Sequence, residues 1–155
     1  MQRYWLFKAE PDVYGIAHLA AAPKKTGRWD GIRNYQARNF LRDEVAVNDQ
    51  VLFYHSHCKQ PGIVGQVRVV AAAYPDPTQF DLASPYYDPK AMPDAPRWVS
   101  VDIALEEIFP GVIPLTLLKQ QPGLDDMILL RQPRLSIQPV SRDEWQIIQQ
   151  LRSSI

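Results

Sequence analysis

The sequence has almost none of the residues from which metal centres and disulfides are built. Cys58 is its only cysteine, and it has three histidines in 155 residues. One thiol excludes an internal disulfide and fits a reducing compartment. His55, His57 and Cys58 stand together, but a zinc site needs a third and usually a fourth ligand in reach. No CxxC or second Cys/His group supplies one. No metal and no cofactor are therefore predicted. The patterns GxxxxGK[ST] and GxGxxG are also missing, which removes support for nucleotide hydrolysis and dinucleotide binding. Long apolar runs are absent: Val67 to Ala73 is broken by Arg68, and the chain enters a strand-like pattern at its first residues. Neither a membrane span nor a signal peptide is predicted, and the expected location is intracellular, in the cytoplasm. Net charge is zero, with 17 basic and 17 acidic residues. A protein coated in phosphate contacts is basic over a whole face, so any polyanion is held locally.

What is present begins with hydrophobic content of 46%, enough for one core. A single domain over 1–155 is expected, working as a monomer. Charge is concentrated where the whole chain has none. Lys24, Lys25, Arg28, Arg33, Arg38 and Arg42 face a single acidic residue, Asp30. Within that region Trp29-Asp30-Gly31 reads as a turn, and Asn34 as the N-cap of a helix from Tyr35 to about Asp43. Ala37, Phe40 and Leu41 form its apolar stripe; Asn34, Arg38 and Arg42 lie four apart on its polar face. Its positive end beside Arg33 suits an anion or a carbonyl oxygen.

The other elements follow from periodicity. Arg3 to Ala9 is a buried first strand that presents Lys8 and Glu10 at its end. Ile16 to Ala22 is a short helix bearing an exposed His18, closed by Pro23 and Thr26-Gly27. Asp49 to His57 is a central strand, apolar on both faces, whose polar end (Tyr54, His55, Ser56) emerges at a rim. Ile63 to Ala73 alternates cleanly, with Gly65 marking a bulge or a close backbone approach. Pro75 to Pro96 carries six of the fourteen prolines and is a long loop whose aromatics pack down as a wall or lid. Trp98 to Phe109 alternates with Val99, Val101, Ile103 and Leu105 inward, leaving Trp98 and Ser100 on the polar side. Pro114 to Gln120 is a short helix, Leu124 to Leu130 has no clear assignment, and Arg134 to Gln138 is a strand stopped by Pro139. Ser141 and Glu144 form a capping box, flanked by Val140 and Trp145, that opens a terminal packing helix. These elements make an α+β fold in which a mixed sheet curls into a small barrel, with helices at its ends and in its connections.

The surviving chemistry is aromatic and amide: Trp29, Tyr35, Tyr54, Tyr86, Tyr87 and Trp98 beside Arg33, Asn34 and Ser56. Flat rings stack on bases, and amides or hydroxyls read an extruded base edge. Set against this is the ordinary role of such aromatics as core residues with a satisfied polar tip. Two other classes stay open on the residues alone. One is an enzyme acting on a modified nucleoside or small metabolite through His55 or Cys58, although neighbours on an extended segment point away from one another. The other is a sensor of a free small ligand. Ser56-x-x-Lys59 and Gly62-x-x-Gly65 match known motifs by letters only.

Eight blocks, taken in order, are more specific: WLFKAEPDVY from Trp5, WDGIRNYQARNFLR from Trp29, VLFYHS from Val51, PGIVG from Pro61, AYPDPTQFD from Ala73, SPYYDP from Ser84, PRW from Pro96 and LLRQPRLSIQPV from Leu129. Together they resemble an EVE domain and are similar to the thymocyte nuclear protein family over nearly the whole chain. The resemblance implies a PUA-like small barrel, related in shape to the YTH domains that read methylated RNA. It also implies a non-enzymatic pocket for a modified nucleobase in nucleic acid, with C5-modified cytosine in DNA as the substrate class. It places Trp29, Gly31, Arg33, Asn34 and Arg38 at the pocket mouth and Lys8, Glu10, Tyr54, His55 and Ser56 on strand ends facing it. Tyr87 and Ser136 are further candidates. Two departures stand out: Ala9 where the family often has Ser, and Gly15 in place of a helix-capping Ser.

Overall fold

The computed structural model describes residues 2–154. Six strands form one mixed sheet in the order β2-β5-β4-β3-β1-β6. They are β1 (Tyr4–Ala9), β2 (Thr26–Trp29), β3 (Gln50–His55), β4 (Gly62–Pro75), β5 (Val99–Pro114) and β6 (Ile137–Val140). Only β1 and β3 pair in parallel, and the rest are antiparallel. A parallel pair needs a long crossover, and the segment between these two strands carries α1 (Pro11–Tyr14), α2 (Ile16–Ala21), β2 and α3 (Tyr35–Asp43).

Alternation along the two central strands buries both faces. Trp5, Phe7, Val51 and Phe53 join the core under α2 and α3, which contribute Leu19, Ala37 and Leu41. Leu6, Leu52 and Tyr54 join the opposite core under α4 (Leu115–Gln120), α5 (Ile128–Arg131) and α6 (Arg142–Ser153). Buried Asp49 ties β1 to β3 by accepting from Trp5 Nε1 (2.9 Å) and the Arg3 N–H (3.0 Å). Register shifts interrupt the β4–β5 ladder four times, and bulges of this kind bend and twist strands. At Gly65 a Cβ would strike Ile16 Cδ1 and the Glu107 carbonyl, so the close approach expected there is real. The capping box of α6 forms in both directions, Glu144 N–H to Ser141 Oγ (3.2 Å) and Ser141 N–H to Glu144 Oε1 (3.0 Å).

Several elements differ from expectation. Thr26 to Trp29 is an edge strand on β5, not the helix end and turn expected there; four residues are too few to show a period. The strand expected to stop near Phe109 continues to Pro114. Pro110 and Gly111 fall inside a bulge between the pairs Gly65–Ile108 and Ile63–Ile113, where no ladder N–H is required of proline. Trp98 and Ser100 are buried, not outward, because the proline-rich segment folds over their face. The last strand is Ile137–Val140 with Pro139 inside it, tolerated because β6 is an edge. Leu124 and Met127 are core residues leading into α5.

Candidate functional site

A cleft of about 350 Å³ opens where the N-terminus of α3 meets the segment joining α5 to β6. Asn34, Gln36, Gln132, Pro133, Arg134 and Leu135 line it. This volume lies at the small end of ligand pockets. Asn34 Oδ1 caps α3 by accepting from the Ala37 N–H (2.9 Å). That bond orients the amide and leaves both Nδ2 hydrogens available to a ligand. The first-turn N–H groups and the helix dipole add a positive end at the same place.

One of the predicted strand-end residues, Lys8, reaches the cleft wall from the sheet. Lys8 Nζ donates to the Pro133 carbonyl, its own N–H donates to the Ser136 carbonyl (2.9 Å), and its ammonium lies 5.3 Å from the Tyr54 ring centroid. Burial pushes the Lys8 pKa down and the Tyr54 phenol up to about 12. Lys8 thus reaches the cleft wall at Pro133, with the Ser136 backbone beside it, whereas Tyr54 is buried in the core under α4, α5 and α6. Ser56 Oγ reaches the Ala9 carbonyl (3.4 Å) at the neighbouring strand end. Glu10 is exposed and faces His57 Nδ1 at 3.4 Å. Tyr87 is exposed on the proline-rich segment, outside the cleft lining.

Four of the predicted mouth residues are used otherwise. Trp29 is buried in the core against Phe7, Phe53 and Tyr14, and its rings have no free face for a base. Gly31 has φ +78°, and a Cβ there would sit 2.7 Å from the Tyr86 ring; its role is to let the turn and the proline-rich segment touch. Arg33 is spent on Asp76 Oδ2 (3.1 Å), Thr78 Oγ1 (3.1 Å) and the Tyr86 carbonyl (2.7 Å), so it pins that segment and does not present its charge outward. Arg38 turns from the cleft to Asn39 Oδ1 (2.8 Å) and the Arg97 carbonyl (3.0 Å).

His55 is a helix cap. Its Nε2 accepts from the Ile16 N–H (3.1 Å), and His18 Nδ1 accepts from the Gly15 N–H (2.8 Å). Two imidazoles thereby do at α2 what the missing Ser at position 15 would do. Burial lowers the His55 pKa. The unfolded chain then takes the proton more readily, so this contribution is whole above about pH 6.5 and is lost as pH falls through the folded value. Urea midpoints measured down to pH 5 are expected to show this loss in the native chain and not in His55→Gln. Identical profiles would exclude the cap. Cys58 makes no hydrogen bond to His55 or His57 among the described residues, so the thiol–imidazole pair of an enzyme reading is not assembled here.

Sequence reasoning missed the wall formed by Gln36 and Gln132 to Leu135, and the buried pair Asp76 and Gln79. Gln79 Oε1 accepts from the Arg97 and Trp98 N–H groups (3.0 Å each), and its amide donates to the Asp76 and Trp98 carbonyls. A polar residue in a proline-rich loop carries no periodic signal, so only its burial shows it to be a clamp.

The fold and the cleft define a small α+β domain, one mixed six-stranded sheet carrying a polar cleft at a helix N-terminus. Among the described residues no group of three or more His, Cys, Asp or Glu side chains could hold a metal, and no helix is long and apolar enough to cross a membrane. The EVE domain family profile matches residues 3–151. Mouse thymocyte nuclear protein 1 is 42% identical over 171 residues, covering 99% of this chain and 75% of that protein. A hypothetical protein from Leishmania major superposes with a TM-score of 0.95 at 43% identity, over 99% of this chain and 96% of its own. The human THYN1 protein in complex with DNA containing 5-methylcytosine superposes at 0.91 with 41% identity, over 97% and 98%. The chain belongs to the EVE domain family.

Proposed function

We propose that the protein is a non-enzymatic binding module for a modified nucleobase, C5-modified cytosine in DNA, held in the cleft at the N-terminus of α3. The observation that carries this is the likeness, at 41% identity over nearly the full length of both chains, to a human protein seen with DNA containing 5-methylcytosine. The chemistry of the cleft agrees. An extruded cytosine offers ring acceptors to the Asn34 amide and to the free N–H groups of the helix end. Pro133 and Leu135 supply apolar wall for a methyl group, and Lys8 holds that wall by donating to the Pro133 carbonyl. A single cleft on one domain, residues 1–155, suffices for this in a monomer, inside the cell and in the cytoplasm.

The test uses Asn34→Asp. Aspartate keeps the cap, since its oxygen accepts the Ala37 N–H equally well and its charge suits the helix dipole. It lacks the two amide donors and repels phosphate. Thermal stability is expected to hold, while affinity for a duplex with one 5-methylcytosine falls about 10- to 100-fold, the worth of a good edge contact. Native-like affinity in this variant would place the base elsewhere.

A further inference from the structure

The side of α3 that turns away from the cleft carries Arg38, which hydrogen-bonds Asn39 and the Arg97 carbonyl but meets no carboxylate at ion-pair distance among the described residues. Six arginines are paired with carboxylates: Arg3, Arg28, Arg33, Arg42, Arg131 and Arg152. Arg38 and Arg97 have no such partner among the described residues, yet both are held in place. The Tyr35 ring is half-exposed and stacks on Trp98, centroids 4.8 Å apart and planes 28° apart. The Arg38 guanidinium lies 4.7 Å from the Tyr35 centroid and 6.0 Å from that of Trp98. Arg97 Nη1 reaches the Tyr35 hydroxyl at 3.4 Å, and its carbonyl accepts from Arg38 at 3.0 Å. Behind them, buried Gln79 clamps the backbone of Arg97 and Trp98, and Trp98 Nε1 donates to Asp88 (2.8 Å). That bond first, then the Lys90 N–H, with smaller attractions from Arg97 and Arg33, holds the Asp88 carboxyl below the usual carboxylate range; Asp88 hydrogen-bonds Trp98 and no guanidinium among the described residues.

Two guanidinium groups with no carboxylate at ion-pair distance among the described residues, fixed beside a stacked aromatic pair, are suited to a phosphate. Their place beside the cleft names which one. Tyr35 sits in sequence between two cleft residues, Asn34 and Gln36, on the first turn of the same helix. A DNA strand advances only ~3.4 Å per nucleotide along the duplex axis, so a strand whose base enters the cleft carries its neighbouring phosphates past this ladder. We infer that Arg38 and Arg97, mounted on Tyr35 and Trp98, grip the phosphodiester backbone immediately flanking the extruded base. The inference rests on the proposed base-binding function. Such a contact positions the strand without reading its sequence, and it lets a chain of zero net charge bind DNA at one face.

The experiment measures affinity of the full chain for a duplex with one 5-methylcytosine and for its unmodified parent, over a salt series. Arg97→Gln leaves the Gln79 clamp on the backbone intact, and Arg97→Lys keeps the charge. Arg97→Gln is expected to weaken both duplexes by the same factor and to flatten the slope of log affinity against log salt by about 0.9, the increment for one phosphate contact. Adding Arg38→Gln flattens it by a similar further step, and Arg97→Lys restores the native slope. An unchanged slope, or a loss confined to the methylated duplex, overturns the ladder. If the native chain does not prefer the methylated duplex and the slope still falls, the base-binding function fails and the ladder stands. If the preference is present and the slope does not move, the reverse holds.

Discussion

Trp29→Ala is expected to destabilise the domain by about 3–5 kcal/mol, the cost of truncating a buried tryptophan. The ring is 4% exposed and lies 5.2 Å from Phe7, 5.4 Å from Phe53 and 5.8 Å from Tyr14, centroid to centroid, in tilted and edge-on contacts. That loss is a large share of the ~5–15 kcal/mol by which a domain is stable. It should appear as a lower urea midpoint with an unchanged slope. Trp29→Phe separates core from site: it keeps most of the apolar contact, so it should fold with a smaller loss and retain the native preference for a methylated duplex. A Trp29→Phe protein that folds normally but loses that preference would return Trp29 to the ligand.

Asp76→Ala is expected to cost about 3 kcal/mol, the low end for breaking a buried ion pair because Arg33 is partly exposed. The Asp76 carboxylate is fully buried and accepts from the Gly31 N–H (2.9 Å), Arg33 Nη1 (3.1 Å), the Thr78 N–H (2.8 Å) and Thr78 Oγ1 (2.6 Å). It is the rivet between the turn before α3 and the proline-rich segment. Burial alone would raise its pKa, but the bonds from Thr78, Gly31 and Arg33 outweigh burial and hold it below the usual carboxylate range. A depressed folded pKa gives stability that is whole above about pH 4 and is lost as pH falls through the folded value. Asp76→Asn removes that charge, so its stability should decline less steeply in acid than the native chain's. Equal acid profiles, or a loss under about 1 kcal/mol for Asp76→Ala, would show that the rivet contributes little.

Elements with long or well-marked local signals are legible in the residues themselves. β-prone composition places β1 and β3, alternation places β4, the Asn34 cap places α3, and the Ser141–Glu144 box places α6. Short elements and the far sides of interruptions are not legible in this way. β2 has four residues, and β5, marked by its alternation as far as Phe109, runs on past a Pro-Gly that locally reads as a stop. β2 and that extension exist because a neighbouring strand supplies their hydrogen bonds, which is information held by the partner and not by the segment. Among the site residues, Asn34 lines the cleft and Lys8 reaches its wall at Pro133, while Tyr54 is buried in the core under α4, α5 and α6. Trp29, Arg33 and His55 are drawn into the core, an ion pair and a helix cap. An aromatic, a guanidinium or an imidazole is equally fit for ligand or framework, and only its neighbours choose between them.

By itself the sequence determined the class of fold, the two-sided core, the family and the local concentration of charge before and along α3, because these depend on composition, period and order. Tertiary structure alone decided which of those charges remain available. Asp76 comes from a segment more than forty residues away and pairs with Arg33, while no carboxylate comes within ion-pair distance of Arg38 or Arg97 among the described residues. Charge is a property of residues, but compensation is a property of distance, and distance between remote segments is set only when the chain has folded.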